Sequence, residues 1–164
     1  MPAPRWKISH GAESMASVWG GVFTKDDKHS GCLIFPENRK RTVNIIYEMP
    51  SFYEDGTSVT LSIAWSKPVP GPGSVAWRER HREAVPGEAC AGWSDWAVGA
   101  ENYDVDDSSI VQLCTFPDIS IPRLSKESIL FVQICRDPAH DGYAERVNAM
   151  SFDLEYTGIW PIHQ

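Results

Sequence analysis

Long apolar runs are missing from this chain. No stretch of its 164 residues approaches the roughly 20 consecutive apolar residues that a bilayer-crossing helix needs, and the opening MPAPRWKISHGAES holds no apolar core of the signal-peptide kind. Neither membrane insertion nor Sec export is expected. Basic charge is also short: 15 Lys and Arg against 22 Asp and Glu leave a formal charge of −7, which removes the main attraction to a phosphate backbone. No nucleic-acid partner is expected. Cysteine is sparse, and Cys32, Cys90, Cys114 and Cys135 form no CxxC pair and have no paired His nearby. That pattern indicates neither a zinc site nor a disulfide scaffold, and the thiols read as reduced.

Local catalytic signatures are absent too. There is no G-x-S-x-G elbow, no GxxxxGK[ST] phosphate loop and no H-E-x-x-H pair. His10, His29, His81, His140 and His163 stand singly among polar or turn residues and read as surface histidines. No catalytic residue, metal ligand or cofactor is assigned, and the chain is not expected to be an enzyme.

What the chain does have is punctuation. Its 12 Gly and 12 Pro break every long amphipathic helical pattern, while short runs rich in Val, Ile, Thr and aromatics recur between them. Residues 42–49 alternate, with Val43, Ile45, Tyr47 and Met49 on one face, and Pro50 ends the run. Ser51-Phe52-Tyr53-Glu54 has the form of a capping box before the turn pair Asp55-Gly56, which predicts one helical turn. Residues 58–65 are the clearest strand, with Val59, Leu61, Ile63 and Trp65 facing one way. After the Pro-rich segment 67–73, a strand over 74–82 turns Val75 and Trp77 inward and Arg78, Arg80 and Arg82 outward. A further strand runs over about 109–116 and is closed by Pro117; 129–135 is apolar on both faces, as in a central or interface strand. Residues 150–156 alternate with an acidic outer face, and weaker runs lie near 19–23, 32–35 and 93–98.

These runs predict an all-β fold: an antiparallel two-sheet β-sandwich of jelly-roll type, with seven to nine strands and little helix. Length and composition fit a single domain over 1–164, with 1–15 an extended N-terminal arm that orders against a neighbouring subunit.

Three features are candidates for contact. The outward row Arg78, Arg80 and Arg82 reads either as a charge-shielded edge strand or as a patch meeting the acidic stretch with Asp104, Asp106 and Asp107 on another subunit. That acidic stretch, with Glu101, lacks the Gly and Glu an EF-hand loop requires and reads as a solvated loop. Trp93 and Trp96, in a Gly-flanked stretch, with Tyr103, are either turn aromatics packed on the sandwich or stacking platforms for a sugar. Trp65 and Trp77 read as core anchors.

Several pieces, taken in order, resemble a β-sandwich family of virion proteins from tailed bacteriophages and prophages, found as trimeric capsid decoration (cement) or tail-fibre modules. They are Trp19-Gly20-Gly21, Tyr47-Glu48-Met49-Pro50, Tyr53-Glu54-Asp55-Gly56-Thr57, Val59-Thr60-Leu61-Ser62-Ile63-Ala64-Trp65 and Gly73-Ser74-Val75-Ala76-Trp77. Arg136-Asp137-Pro138-Ala139-His140-Asp141 and Leu154-Glu155-Tyr156 complete the set. The charged Arg-Glu-Arg-His-Arg of residues 78–82 departs from that pattern. The resemblance implies a virion structural protein assembled in the host cytoplasm. Its expected form is a homo-oligomer, a trimer, that bridges major capsid protein or other virion subunits without a cofactor. The alternative is a tail-fibre or receptor-binding sandwich that binds carbohydrate through Trp93, Trp96 or Tyr103. A polysaccharide-degrading sandwich is a third reading, for which the acidic loops supply no placed carboxylate pair.

Overall fold

Period-two alternation becomes antiparallel strands wherever one face can be buried against a second sheet. A computed structural model describes residues 3–11, 23–26, 29–38, 40–101, 107 and 110–159. Among them are β1 (Arg5–Gly11), β2 (Phe23–Asp26), β3 (His29–Phe35), β4 (Arg41–Glu48), β5 (Val59–Ser66) and β6 (Trp77–Ala84). The two-residue strands β7 (Ala97–Val98) and β8 (Ala100–Glu101) follow, then β9 (Gln112–Ile119), β10 (Ile129–Arg136) and β11 (Val147–Thr157). The helix of the described residues is a single 3-10 turn, Pro138–His140, and none is long and apolar enough to cross a membrane.

The fold is all-β and built of two antiparallel sheets. One runs β2-β3-β11-β5-β9-β8, with β1 also paired to β11; the other runs β4-β10-β6-β7. Val59, Leu61, Ile63 and Trp65 of β5 and Phe152, Leu154 and Tyr156 of β11 point into the core. From the other sheet they meet Val43, Ile45 and Tyr47 of β4, Leu130, Val132 and Ile134 of β10, and Trp77 of β6. Trp77 stands edge-on to Phe35 at 5.0 Å and to Trp65 at 6.1 Å. The two core anchors therefore touch each other. The four cysteines form no disulfide, and three of them are buried.

Four local readings change in the structure. Residues 5–11, inside the stretch expected to form an arm, pair along β11 of their own sheet. Trp6 and Ile8 pack toward the core, while Lys7 bonds Asp153 at 2.7 Å and Arg5 lies 4.0 Å from Glu155. The acidic outer face of β11 thus finds its basic complement within the chain. Pro117 does not close its strand: β9 continues to Ile119 through a bulge, with Leu61 opposite Phe116, Val59 opposite Ile119, and Asp118 at φ 52°. A bulge is where a strand tolerates a residue without an N–H. The capping box forms turns, with Tyr53 N–H bonded to the Pro50 carbonyl at 3.0 Å, and Tyr53 then bridges Gly158. Finally, β6 begins at Trp77, because residues 74–76 are tied to the loop after β10 rather than to a strand.

That loop is held by a buried ion pair. Arg136 is 0% exposed, and its Nε donates to the Asp141 carboxylate. Its other nitrogens donate to the carbonyls of Phe35 at 3.3 Å, Glu145 at 2.6 Å and Tyr143 at 2.7 Å. Asp141 accepts in turn from the Ala76 N–H, and Asp137 N–H bonds the Ala76 carbonyl at 2.8 Å. Gly73, at φ 107°, lies so close to the Gly142 carbonyl that any Cβ would overlap it.

Burial pushes the Asp141 carboxyl up from its ordinary value, against the pull of the Ala76 N–H and Arg136. Desolvation thus outweighs attraction there, and the main contribution of the pair is to hold Arg136 against its carbonyls. Arg136→Met, which strands those acceptors, is expected to cost about 3–5 kcal/mol. Asp141→Asn is expected to cost less. Urea denaturation of both variants checks the order, and the reverse order contradicts it.

Burial also raises the phenols of Tyr47, Tyr53, Tyr143 and Tyr156. The neutral form is favoured in the folded chain, so this stability is complete below the ordinary phenol value of about 10 and is lost as pH rises through the folded values. In an alkaline titration followed at 295 nm, these four tyrosines are expected to ionise together with loss of near-ultraviolet dichroism. Their ionisation near pH 10 in a still-folded chain would count against this.

Candidate functional site

The outer face of the smaller sheet is set by strict cross-strand register. Three rows cross β4, β10 and β6 in turn: Thr42, Cys135 and Arg78; Asn44, Gln133 and Arg80; Ile46, Phe131 and Arg82. Alternation on β6 sends these arginines outward, while Glu79, between the first two, and Glu83, just after the third, are buried on the inner side. The apolar character of β10 on both faces places Phe131 on this outer side.

The chain after β6 then folds back along its open edge. Ala91 N–H bonds the Glu83 carbonyl at 3.0 Å, Ser94 N–H the His81 carbonyl at 2.8 Å and Gly99 N–H the Trp77 carbonyl at 3.0 Å. This irregular segment satisfies the β6 edge and carries Trp93 and Trp96 onto the arginine row. At Gly99 the chain passes to the other sheet, where a Cβ would press on Cys114 and Phe116.

Cations and rings alternate across the face. Lys40 Nζ lies 4.4 Å from the Trp96 ring centre, and the Arg80 guanidinium 4.7 Å from Trp96 and 5.1 Å from Trp93. The Arg82 guanidinium lies 4.6 Å from Trp93 and 5.2 Å from Phe131. Arg80 Nε also donates to Gln133 Oε1 at 2.6 Å. A guanidinium over an aromatic ring gains about 0.5–1 kcal/mol when exposed and more when desolvated. The ladder therefore stiffens a face made of rings, amides and positive charge. Beside it lies a groove of about 350 Å³ lined by Asn44, Ile46, Arg82, Trp93, Phe131 and Gln133. Two polar atoms of these lining residues, Asn44 Oδ1 and Arg82 Nε, are buried without a hydrogen-bond partner.

The three arginines of the row have separate fates. Arg78 Nε lies 2.9 Å from Asp137, and its guanidinium also reaches His140. Arg80 and Arg82 stack on the tryptophans. Asp104, Asp106 and Tyr103 lie outside the described residues, and Asp107 is exposed. Asn44, Phe131, Gln133 and Lys40 were not singled out in the sequence; the apolar run of β10 was the available signal for Phe131.

Two other places merit comparison. His81 Nδ1 lies 3.3 Å from Glu79 Oε2 and 3.4 Å from Ser94 Oγ. A nucleophile–base–acid relay uses opposite ring nitrogens, so this Ser–His–Glu set is not arranged to activate its serine. A wider depression of about 510 Å³ is lined by residues 51–55, Lys126 and Ile159, but its Phe52 ring is half-buried and packed edge-on against Trp6 at 5.2 Å. Among the described residues no group of His, Cys, Asp and Glu is placed to hold a metal ion.

No family model matches the chain, and no curated protein matches it in sequence. Solved structures do. TmCBM61 in complex with β-1,4-galactotriose has 10% identity and a TM-score of 0.39, over 90% of this chain and 86% of that one. Exo-β-1,3-galactanase from Phanerochaete chrysosporium has 10% identity and a TM-score of 0.42, over 92% and 29%. The infectious bursal disease virus VP2 subviral particle has 14% identity and a TM-score of 0.37, over 95% and 31%. A carbohydrate-binding module, a glycosidase and a capsid protein thus share a distant likeness to this sandwich. At such scores the likeness does not choose between their activities.

Proposed function

We propose that the chain is a non-catalytic recognition module of a tailed-phage virion, a tail-fibre or receptor-binding sandwich that holds carbohydrate on the outer face of its smaller sheet. The observation that carries this reading is the groove between Trp93 and Phe131, whose lining combines these two rings with the amides of Asn44 and Gln133 and the guanidinium of Arg82. A pyranose offers an apolar C–H face to an indole and hydroxyls to amides and guanidinium groups, and this groove supplies both kinds of partner. Gln133, held by Arg80, is a pre-organised polar contact. The sequence resemblance supports the virion setting.

A glycan array followed by titration calorimetry tests the reading. The chain is expected to bind at least one glycan; Trp93→Ala, in the groove, is expected to weaken that binding about tenfold or more and Trp96→Ala, beside it, to weaken it less, each with a small drop in melting temperature from the lost cation–ring contacts. Absence of binding to any glycan, or variants that bind like the parent chain, would overturn it.

The capsid-cement reading has its own support. Ile110, Val111 and Leu113 are exposed where the chain enters β9, an apolar edge available to a neighbouring subunit. In that reading a trimer bridges capsid subunits, with the row Arg78, Arg80 and Arg82 meeting Asp104, Asp106 and Asp107 of a neighbour. Light scattering is then expected to give three copies, and a particle reconstruction to place them on the capsid. A monomer that leaves capsids bare would exclude it.

A further inference from the structure

We infer that the groove selects an acidic sugar, one bearing a carboxylate or sulfate, and that Arg82 is the residue that recognises the anion. The inference rests on the carbohydrate reading and deepens it.

Three guanidinium groups on one strand, β6, differ in what answers them. Arg78 is neutralised within the chain by Asp137 at 2.9 Å. Arg80 directs its Nε to the Gln133 amide at 2.6 Å. Arg82 has neither a carboxylate within ion-pair distance nor a hydrogen bond among the described residues, and its Nε is buried without a partner. What it does have is packing: Trp93 on one ring contact and Phe131 on another, at 4.6 Å and 5.2 Å. Those rings hold the guanidinium plane in place but satisfy none of its N–H groups. With Nε shut in, the donors left to a ligand are the two terminal nitrogens, and a guanidinium fixed beside a groove of about 350 Å³ can give paired hydrogen bonds from them to a planar carboxylate or to sulfate oxygens.

The surrounding charge points the same way. The chain as a whole carries −7, yet Lys40, Arg80 and Arg82 lie together on the rings of this face. Neutral sugars need no such charge. Ile46 and Phe131 wall the groove with apolar surface, which strengthens a charge-assisted contact by keeping water from it.

The test uses two trisaccharides that differ only in the group on C5: α-1,4-trigalacturonate and α-1,4-galactotriose, with a sulfated galactose trimer as a third ligand. Calorimetry of the full chain is expected to give about tenfold or more tighter binding for an acidic trimer than for the neutral one. The stronger of the two acids identifies the anion. Arg82→Gln is expected to bring acidic and neutral ligands to the same affinity, and Arg82→Lys, which keeps the charge without the planar fork, to retain part of the difference. Dichroism and melting of each variant establish that it is folded.

Equal binding of acidic and neutral trimers by the parent chain would overturn the acidic inference and leave the carbohydrate reading standing. An acidic preference that survives Arg82→Gln would overturn the role of Arg82. No binding to these trimers or to a glycan array would remove both. Self-association abolished by Arg82→Gln, without sugar binding, would assign the groove to a carboxylate of a second copy and overturn the inference.

Discussion

Arg136 is the joint on which the sandwich turns. A guanidinium with no solvent exposure can persist only if every face of it is answered, and here Asp141 and the carbonyls of Phe35, Tyr143 and Glu145 answer it. These groups come from the end of β3 and the loop between β10 and β11, and they meet on Arg136 at the end of β10. Through Asp141 the same joint reaches Ala76, immediately before β6. One side chain therefore joins both sheets at one end. It fixes where β6 begins, and the β6 register places the arginine row on the outer face.

The candidate site depends on that geometry in a second way. An edge strand must be covered, and β6 is covered by a segment that pairs with it as a strand only over the two residues of β7 and elsewhere bonds it at intervals. The irregularity leaves room for two indoles to lie across the sheet instead of pointing into solvent. Their contacts with Lys40, Arg80 and Arg82 then turn a row of like charges into alternating charge and ring. Arg78 is paired with Asp137, but repulsion between Arg80 and Arg82 is moderated by rings and an amide, so their part of the face keeps its positive charge in an acidic chain.

Much of the fold was legible from alternation. The inward faces of β4 and β5, the central place of β10 and the outward turn of Arg78, Arg80 and Arg82 follow from period two together with Gly and Pro punctuation. Trp93 and Trp96 stood out as a pair, though only as either packed turn residues or platforms. Other features were hidden because they depend on partners remote in sequence. The docking of β1 is settled by Lys7 and Asp153, and the Pro117 bulge by the register against β5. The same applies to Asn44 and Gln133, ordinary polar positions on two strands until the sheet sets them in one row with Arg80.

By itself, then, the order of residues determined that this chain would make strands and which side of each would be apolar, because those properties depend on neighbours one and two positions away. Tertiary structure alone decided which strands lie side by side and what crosses their outer surface. Pairing energies become specific only when an entire face is buried, so a row assembled from positions 44, 133 and 80 has no local signature. The groove beside Arg82 exists for that reason, and its chemistry belongs to the sheet rather than to any one segment.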